Sequence, residues 1–233
     1  GAGETTAIVF SGAAAQTYQF DAGARTMGFV IDKTAKANTV SPVGASPLGI
    51  AYLEVRRGTL TLSSGETRVG WKRNFSPSAW TSGLVITNTS ADVQINHNSG
   101  TFIFDSEHYN SGNGIDSYIT LNGFALQLNN LTVETSGPGS SYYGYPQFTA
   151  NTDQITVLGD YTVNAGSMKT NTADPTTAQL DIKGNVAFNC SSAATGICSV
   201  HGGTMNKVIR AKVSGGNKTI SQATGAAFGF YRM

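Results

Sequence analysis

The sequence predicts an all-β fold, a right-handed parallel β-solenoid (β-helix), with multi-stranded β-sandwich modules as the alternative. Three observations carry this expectation. No stretch of twelve residues places apolar side chains at helical spacing between capping signals. Short runs of alternating apolar and polar residues recur instead, rich in β-branched and aromatic types and bounded by Gly, Asn, Ser or Asp. Five of these runs turn on a single glycine with almost no loop: RRGTLTL at Gly58, NSGTFIF at Gly100, LNGFALQ at Gly123, VLGDYTV at Gly159 and IKGNVAF at Gly184. A sandwich needs clear hairpin turns and connections of mixed length. A corner followed at once by another strand suits a coil that bends and continues, each rung stacked on the one before.

The predicted strands follow in order: 7–12 (AIVFSG), 16–20 (QTYQF), 28–33 (GFVIDK), 52–65, 83–89, 92–106, 117–136, 154–166, 178–189, 207–216 and 218–222. At the end of 92–106, with Phe102 and Phe104 pointing inward, Asp105 and Glu107 share the opposite face. Asn38, Asn96, Asn98, Asn129, Asn130, Asn164 and Asn185 sit at or near the bends, where stacked amides of successive rungs satisfy one another. Asparagine in turns has a simpler explanation as well.

Two stretches break the pattern. Residues 66–82 (ETRVGWKRNFSPSAWTS) hold both tryptophans of the chain, and residues 136–148 (SGPGSSYYGYPQF) hold three tyrosines and two prolines. Both read as excursions from a single elongated β domain spanning 1–233, and loops on a rigid scaffold are where binding concentrates. The candidate binding residues are Trp71, Lys72, Arg73, Trp80, Tyr142, Tyr143 and Tyr145, because aromatic planes stack on sugar rings and dominate interface hot spots. The alternative for Trp71 and Trp80 is a cap on the open end of the coil.

Residues 8–31 resemble residues 212–231: Ser11-Gly12 falls on Ser214-Gly215, Gln16-Thr17 on Lys218-Thr219, and Gly28-Phe29 on Gly229-Phe230. The chain therefore reads as one long repeat plus the opening of the next, with 207–233 either starting that repeat or joining a neighbouring subunit. Phe228, Phe230 and Tyr231 are the candidate assembly residues. The apolar ends AIVFSG and AAFGFYRM carry no polar cap, so the expected partner is another copy, end to end.

Charged residues are 12% of the chain and the net charge is +1, which leaves no electrostatic case for nucleic acid or an anionic membrane. No run of eighteen apolar residues is present to span a bilayer as a helix. The chain starts at Gly1 without a signal peptide and reads as a processed protein or an excised fragment. Cys190 and Cys198 lie in NCSSAATGIC, a spacing that fits neither a CxxC redox motif nor a zinc site. A disulfide closing this short loop in an oxidising compartment is the expected state, two buried thiols the alternative.

The strand phrases IVFSGAAAQTYQF, MGFVIDKT and RGTLTLSSG, with ITVLGDYTVNAGSM and LDIKGNVAFN after them, resemble the long repetitive surface adhesins of Bacteroidetes-type bacteria. They are similar, more loosely, to filamentous-haemagglutinin-like β-solenoid proteins. The resemblance implies secretion, a β-solenoid or stacked β modules, and an adhesive or structural role. It supplies no catalytic residues.

No GxSxG, HExxH, P-loop, GxGxxG after a strand or EF-hand loop is present. Asp105 and Glu107 beside His108 are the nearest approach to a carboxylate pair of the kind that cleaves polysaccharides, but a solvated strand end with two acids and an imidazole is the better reading. His97, His108 and His201 show no ligand spacing. Asp153, Asp160 and Asp181 recur on later turns without the regularity of a calcium site. Thr59-Leu60-Thr61 has little that repeats it, so no threonine ladder forms an ice-binding face. The expectation is a non-enzymatic extracellular module, without cofactor, that assembles end to end into a surface filament or stalk, with surface glycans as a second class of partner. A carbohydrate-active β-helix of the phage-tailspike or polysaccharide-lyase type and a virion or coat protein are the alternatives.

Overall fold

The structure is a computed structural model that describes residues 7–70, 83–105, 117–134, 146–150, 152–164, 168–170, 179–189 and 211–223. Among these residues there is no helix. The strands follow one another in sets. The first set is β1 (Ala7–Gly12) and β2 (Gln16–Tyr18), the second β3 (Thr26–Lys33) and β4 (Thr39–Pro42). The long β5 (Leu48–Thr61) and β6 (Glu66–Val69) come next. Then come β7 (Gly83–Ile86), β8 (Val93–Asn96) and β9 (Thr101–Asp105); β10 (Ser117–Thr120), β11 (Leu126–Leu128) and β12 (Asn130–Glu134); and β13 (Pro146–Phe148), β14 (Ile155–Val157) and β15 (Tyr161–Val163). Last are β16 (Lys169–Thr170), β17 (Leu180–Ile182) and β18 (Val186–Phe188), followed by β19 (Ala211–Val213) and β20 (Ile220–Gln222).

Every strand pairing among the described residues is parallel. Strands pair with their counterparts in the next set and form three stacks. The first stack is β1–β3–β5–β7–β10–β13–β16 and the third is β6–β9–β12–β15–β18–β20. In the second, β2–β4–β5–β8 is followed by a separate four-stranded sheet, β11–β14–β17–β19. A parallel partner cannot be reached through a tight hairpin. Here the return path runs through strands of the other stacks, β2 or β4 alone in the first two sets, where α/β proteins use a helix. β5 serves all three: Gly49 pairs with Arg68, Leu53 with Phe29 and Leu84, and Leu60 with Val40 and Ile95.

Alternation places the core. In β11, β12, β14, β15, β17 and β18 every second side chain is buried. Parallel pairing in register then lines those side chains into columns: Leu126, Ile155 and Leu180; Leu128, Val157 and Ile182; Leu131, Tyr161 and Val186; Val133, Val163 and Phe188. At the N-terminal end Phe29 packs against Phe10 at 4.6 Å and meets Tyr18 edge-on at 5.4 Å, tying the first two sets together.

Regular strands also occur inside the two stretches read from sequence as excursions. Within 66–82, Glu66–Val69 is β6, in register with β9; within 136–148, Pro146–Phe148 is β13, in register with β10. Their alternation is short and masked by the unusual neighbours. β4 (TVSP) and the two-residue β16 carry no strand signal in sequence; pairing alone makes them strands. The glycine steps divide into two kinds. Gly123 has φ +77° and open space around it, so its role is the left-handed turn. A Cβ at Gly100, Gly159 or Gly184 would overlap the adjacent set, so these glycines allow the close stacking of corners.

The similar stretches at the two ends occupy different stacks. β1 and β2 lie in the first and second, β19 and β20 in the second and third. What matches is a strand, a left-handed glycine (Gly12 at φ +77°, Gly215 at +109°) and a second strand. The match is therefore one stack out of phase with a full turn.

Burial gives the chain an alkaline limit. Tyr18 and Tyr161 are buried, which pushes both phenols far above their ordinary value of 10. They stay protonated in the folded chain where the unfolded chain would ionise them, so their stabilisation is full below pH 10 and is lost as pH rises beyond it. Tyr52 is pushed up to about 12, by burial first and then by its hydrogen bond to Glu54. In a tyrosinate absorbance titration the difference between native wild type and Tyr52→Phe is expected near pH 12. A difference already complete at pH 10 counts against this environment.

Candidate functional site

The third stack gives way to the first at a single corner, and three long inter-strand intervals start from it. Val69 pairs with Phe104 and Phe104 with Val133, so the next residues, Gly70, Asp105 and Glu134, lie beside one another on successive sets. The points of return are aligned in the same way, since Gly83 pairs with Tyr118 and Tyr118 with Gln147. Segments 71–82, 106–116 and 135–145 are thus hung from adjacent points along one edge. The corner between the second and third stacks is tight by comparison: residues 97–100, then Asn129 alone, then 158–160 and 183–185.

Trp71, Lys72, Arg73, Trp80, Tyr142, Tyr143 and Tyr145 lie outside the described residues, within two of these segments. Cys190, Cys198, Phe228, Phe230 and Tyr231 lie outside them too, as do Glu107, His108 and His201. What the structure does place is the anchorage of the segments. Gly70 has φ +100°, and a Cβ there would stand 2.7 Å from Ser117 Oγ and 2.9 Å from the Asp105 carbonyl, so only glycine fits where the chain leaves β6.

Arg68 is the charge centre of this edge. It projects from β6, donates from Nη1 to Asp105 Oδ2 at 2.8 Å and to Glu134 Oε1, and has Glu66 at 3.7 Å. It thus links three consecutive sets. Burial works against its charge, but hydrogen bonds to Glu134 and Asp105 outweigh that and hold the guanidinium above its ordinary value. Asp105, expected from sequence at a solvated strand end, is instead fully buried, because the arginine of the preceding set covers it. A carboxylate committed to an arginine in this way is poorly placed as a catalytic acid or nucleophile. Sequence reasoning passed over Arg68 because it sits in a stretch read as an excursion. The signal was the alternation of Thr67 and Val69 around it.

From Glu134 a polar ladder continues along the same edge. Asn164 Nδ2 donates to Glu134 Oε2 at 3.4 Å, and Asn189 Nδ2 to Asn164 Oδ1 at 3.1 Å. A second ladder follows the tight corner, but there side chains serve backbone. Asn130 Oδ1 accepts from Asp160 N at 2.9 Å, Asp160 Oδ1 from Asn185 N at 2.8 Å, and Asn185 Oδ1 from Thr219 N at 3.1 Å. The expected amide-to-amide stacking occurs at Asn164 and Asn189. Asn98, Asn129, Asn130 and Asn185 instead meet backbone amides or carbonyls of the adjacent set, while Asn38 accepts from Thr34 Oγ1 and Asn96 accepts from Gln94 Nε2 and donates to Thr61 Oγ1.

The three aspartates considered for calcium do not converge. Asp153 accepts from Leu121 N at 2.9 Å, Asp160 belongs to the corner ladder, and Asp181 lies on the outer face of the second stack. Asp181, Lys183 and Ser214 do form a compact cluster. Lys183 Nζ is 2.6 Å from Asp181 Oδ2 and 2.8 Å from Ser214 Oγ, and the Ser214 hydroxyl donates to Asp181 Oδ1 at 2.6 Å. The hydrogen bonds from Lys183 first, and Ser214 second, hold the Asp181 carboxyl below its ordinary value. The lysine acts as donor to the serine oxygen, which is the reverse of a general base, so the cluster ties β17 to the residues after β19. The best-formed hollow among the described residues, between Leu62, Thr67, His97 and Phe102, is too small for a water molecule.

Among the described residues the fold is all-β, built of parallel strands stacked set upon set. Comparison with protein-family models, with curated proteins and with solved structures finds no match.

Proposed function

We propose that this chain is a structural and adhesive module of an extracellular filament or stalk, built as a right-handed parallel β-solenoid. The right hand follows from strand twist, which favours that sense for parallel crossovers. The observation that carries the reading is the location of exposed apolar surface. Of the six large apolar side chains exposed among the described residues, four (Ile8, Val9, Val213 and Ile220) lie on β1, β19 and β20. Among the described residues β1 pairs only with β3, β19 only with β17 and β20 only with β18. An unpaired strand edge is a template for another strand. The two ends offer opposite edges of the parallel stacks, β1 and β2 in the first and second, β19 and β20 in the second and third, so a second copy docks head to tail with a rotation about the axis, a contact that does not close. The segments hung from the Arg68 edge then display Trp71, Trp80, Tyr142, Tyr143 and Tyr145, with Lys72 and Arg73, to glycans or protein partners. The engagement of Asp105 by Arg68 favours this scaffold role over a polysaccharide-cleaving β-helix.

Sedimentation and electron microscopy of the native protein test the reading. Wild type is expected to form end-to-end oligomers that Val213→Lys with Ile220→Lys abolishes while the circular dichroism spectrum stays β. A wild type that remains monomeric at high concentration removes the filament. Glycan binding that survives Trp80→Ala with Tyr143→Ala removes the aromatic display.

A further inference from the structure

Lys33 ends β3 at the corner between the first and second stacks and is 1% exposed. Its ammonium donates to Ser11 O at 3.0 Å, Ala14 O at 2.7 Å and Gln16 Oε1 at 2.7 Å. All three protons are used, and none of the acceptors is a carboxylate. All three acceptors belong to residues 11–16, the corresponding corner of the preceding set. On its other side the lysine stem passes over Gly58, the same corner of the following set. A Cβ at Gly58 would stand 2.6 Å from Lys33 Cγ and 2.8 Å from its Cβ. One neighbouring corner thus gives up its side chain to make room for the stem, and the other turns three oxygens toward the charge.

Between the paired ends of this corner, Gly12 with Lys33 and Gln16 with Val40, residues 13–15 have little else to hold them. Gly12 is left-handed at φ +77°, and Ala13, Ala14 and Ala15 are exposed and carry no polar side chain. Burying an ammonium among neutral acceptors is costly, and here it organises the corner that joins β1 to β2. We propose that Lys33 is a latch, an internal cation that clamps the 11–16 corner and holds β1 and β2 as a preformed docking edge. The docking role rests on the end-to-end reading above; the clamping does not.

Hydrogen exchange on wild type, Lys33→Met and Gly58→Ala under dissociating conditions, read beside the sedimentation assay, separates the two. With Lys33→Met the amides of residues 8–18 are expected to exchange at least about tenfold faster, while β9, β12 and β15 keep their protection. Gly58→Ala, which displaces the lysine stem, is expected to reproduce the pattern. Protection of 8–18 within about twofold of wild type in Lys33→Met, or a loss spread evenly over β9 and β12, overturns the latch whatever the assembly state. Local fraying with end-to-end assembly intact overturns the docking role. If wild type itself does not assemble, the filament reading fails while exchange still decides the latch.

Discussion

Arg68→Ala is expected to lower the unfolding free energy by about 3 kcal/mol, because it leaves the fully buried Asp105 without the guanidinium that compensates it. The pair itself need not add net stability, since the desolvation of two charges offsets much of their attraction. The loss comes from breaking it on one side. The prediction therefore has a second part: Arg68→Met with Asp105→Leu, which replaces both charges with apolar side chains, should recover most of the loss. Denaturant unfolding at neutral pH measures both, with an unchanged slope showing that the same surface is exposed. An Arg68→Ala variant within about 0.5 kcal/mol of wild type would mean that the edge is held by something other than this network.

Gly100→Ala is expected to cost about as much, roughly 3 kcal/mol, and far more than Gly123→Ala at roughly 1 kcal/mol. Both glycines occupy the same kind of step in sequence, NSG and LNG. At Gly100 a new Cβ would overlap the Ser63 carbonyl oxygen and stand 2.8 Å from that of Gly65. Both obstacles are backbone and cannot swing aside. Relief would require β9 to move away from β6, breaking the register of Glu66 with Thr101 and of Thr67 with Phe102. At Gly123 nothing lies within 4 Å, and only the left-handed φ of +77° opposes a side chain. Thermal unfolding of the two variants side by side checks the ranking. A Gly100→Ala change no more harmful than Gly123→Ala would show that the corners are not in close contact.

The strand runs were legible because alternation is local. A residue such as Leu131 or Val133 is apolar between polar neighbours whatever its strand pairs with, and burial bears this out. The Arg68 edge was not legible, because its carboxylate partners sit 37 and 66 residues away in sequence. Nor was Lys33, whose acceptors are mostly backbone carbonyls, and a carbonyl leaves no trace in residue type. Asn164 and Asn185 were recognised as corner residues, but which group each would satisfy depended on the set stacked against it.

By itself the sequence determined that the fold is all-β, that several of its corners carry glycine, and that it has little charge with which to bind nucleic acid. Only the tertiary structure decided which strands are neighbours. Partners lie from 19 residues apart, at Leu48 and Thr67, to 35, at Leu60 and Ile95. The interval varies chiefly because segments of different length are inserted at one corner, so no fixed period is written in the sequence. A column such as Leu126, Ile155 and Leu180 exists only once the chain has returned to the same stack, and the length of the detour, not the residues of the strand, sets where that happens.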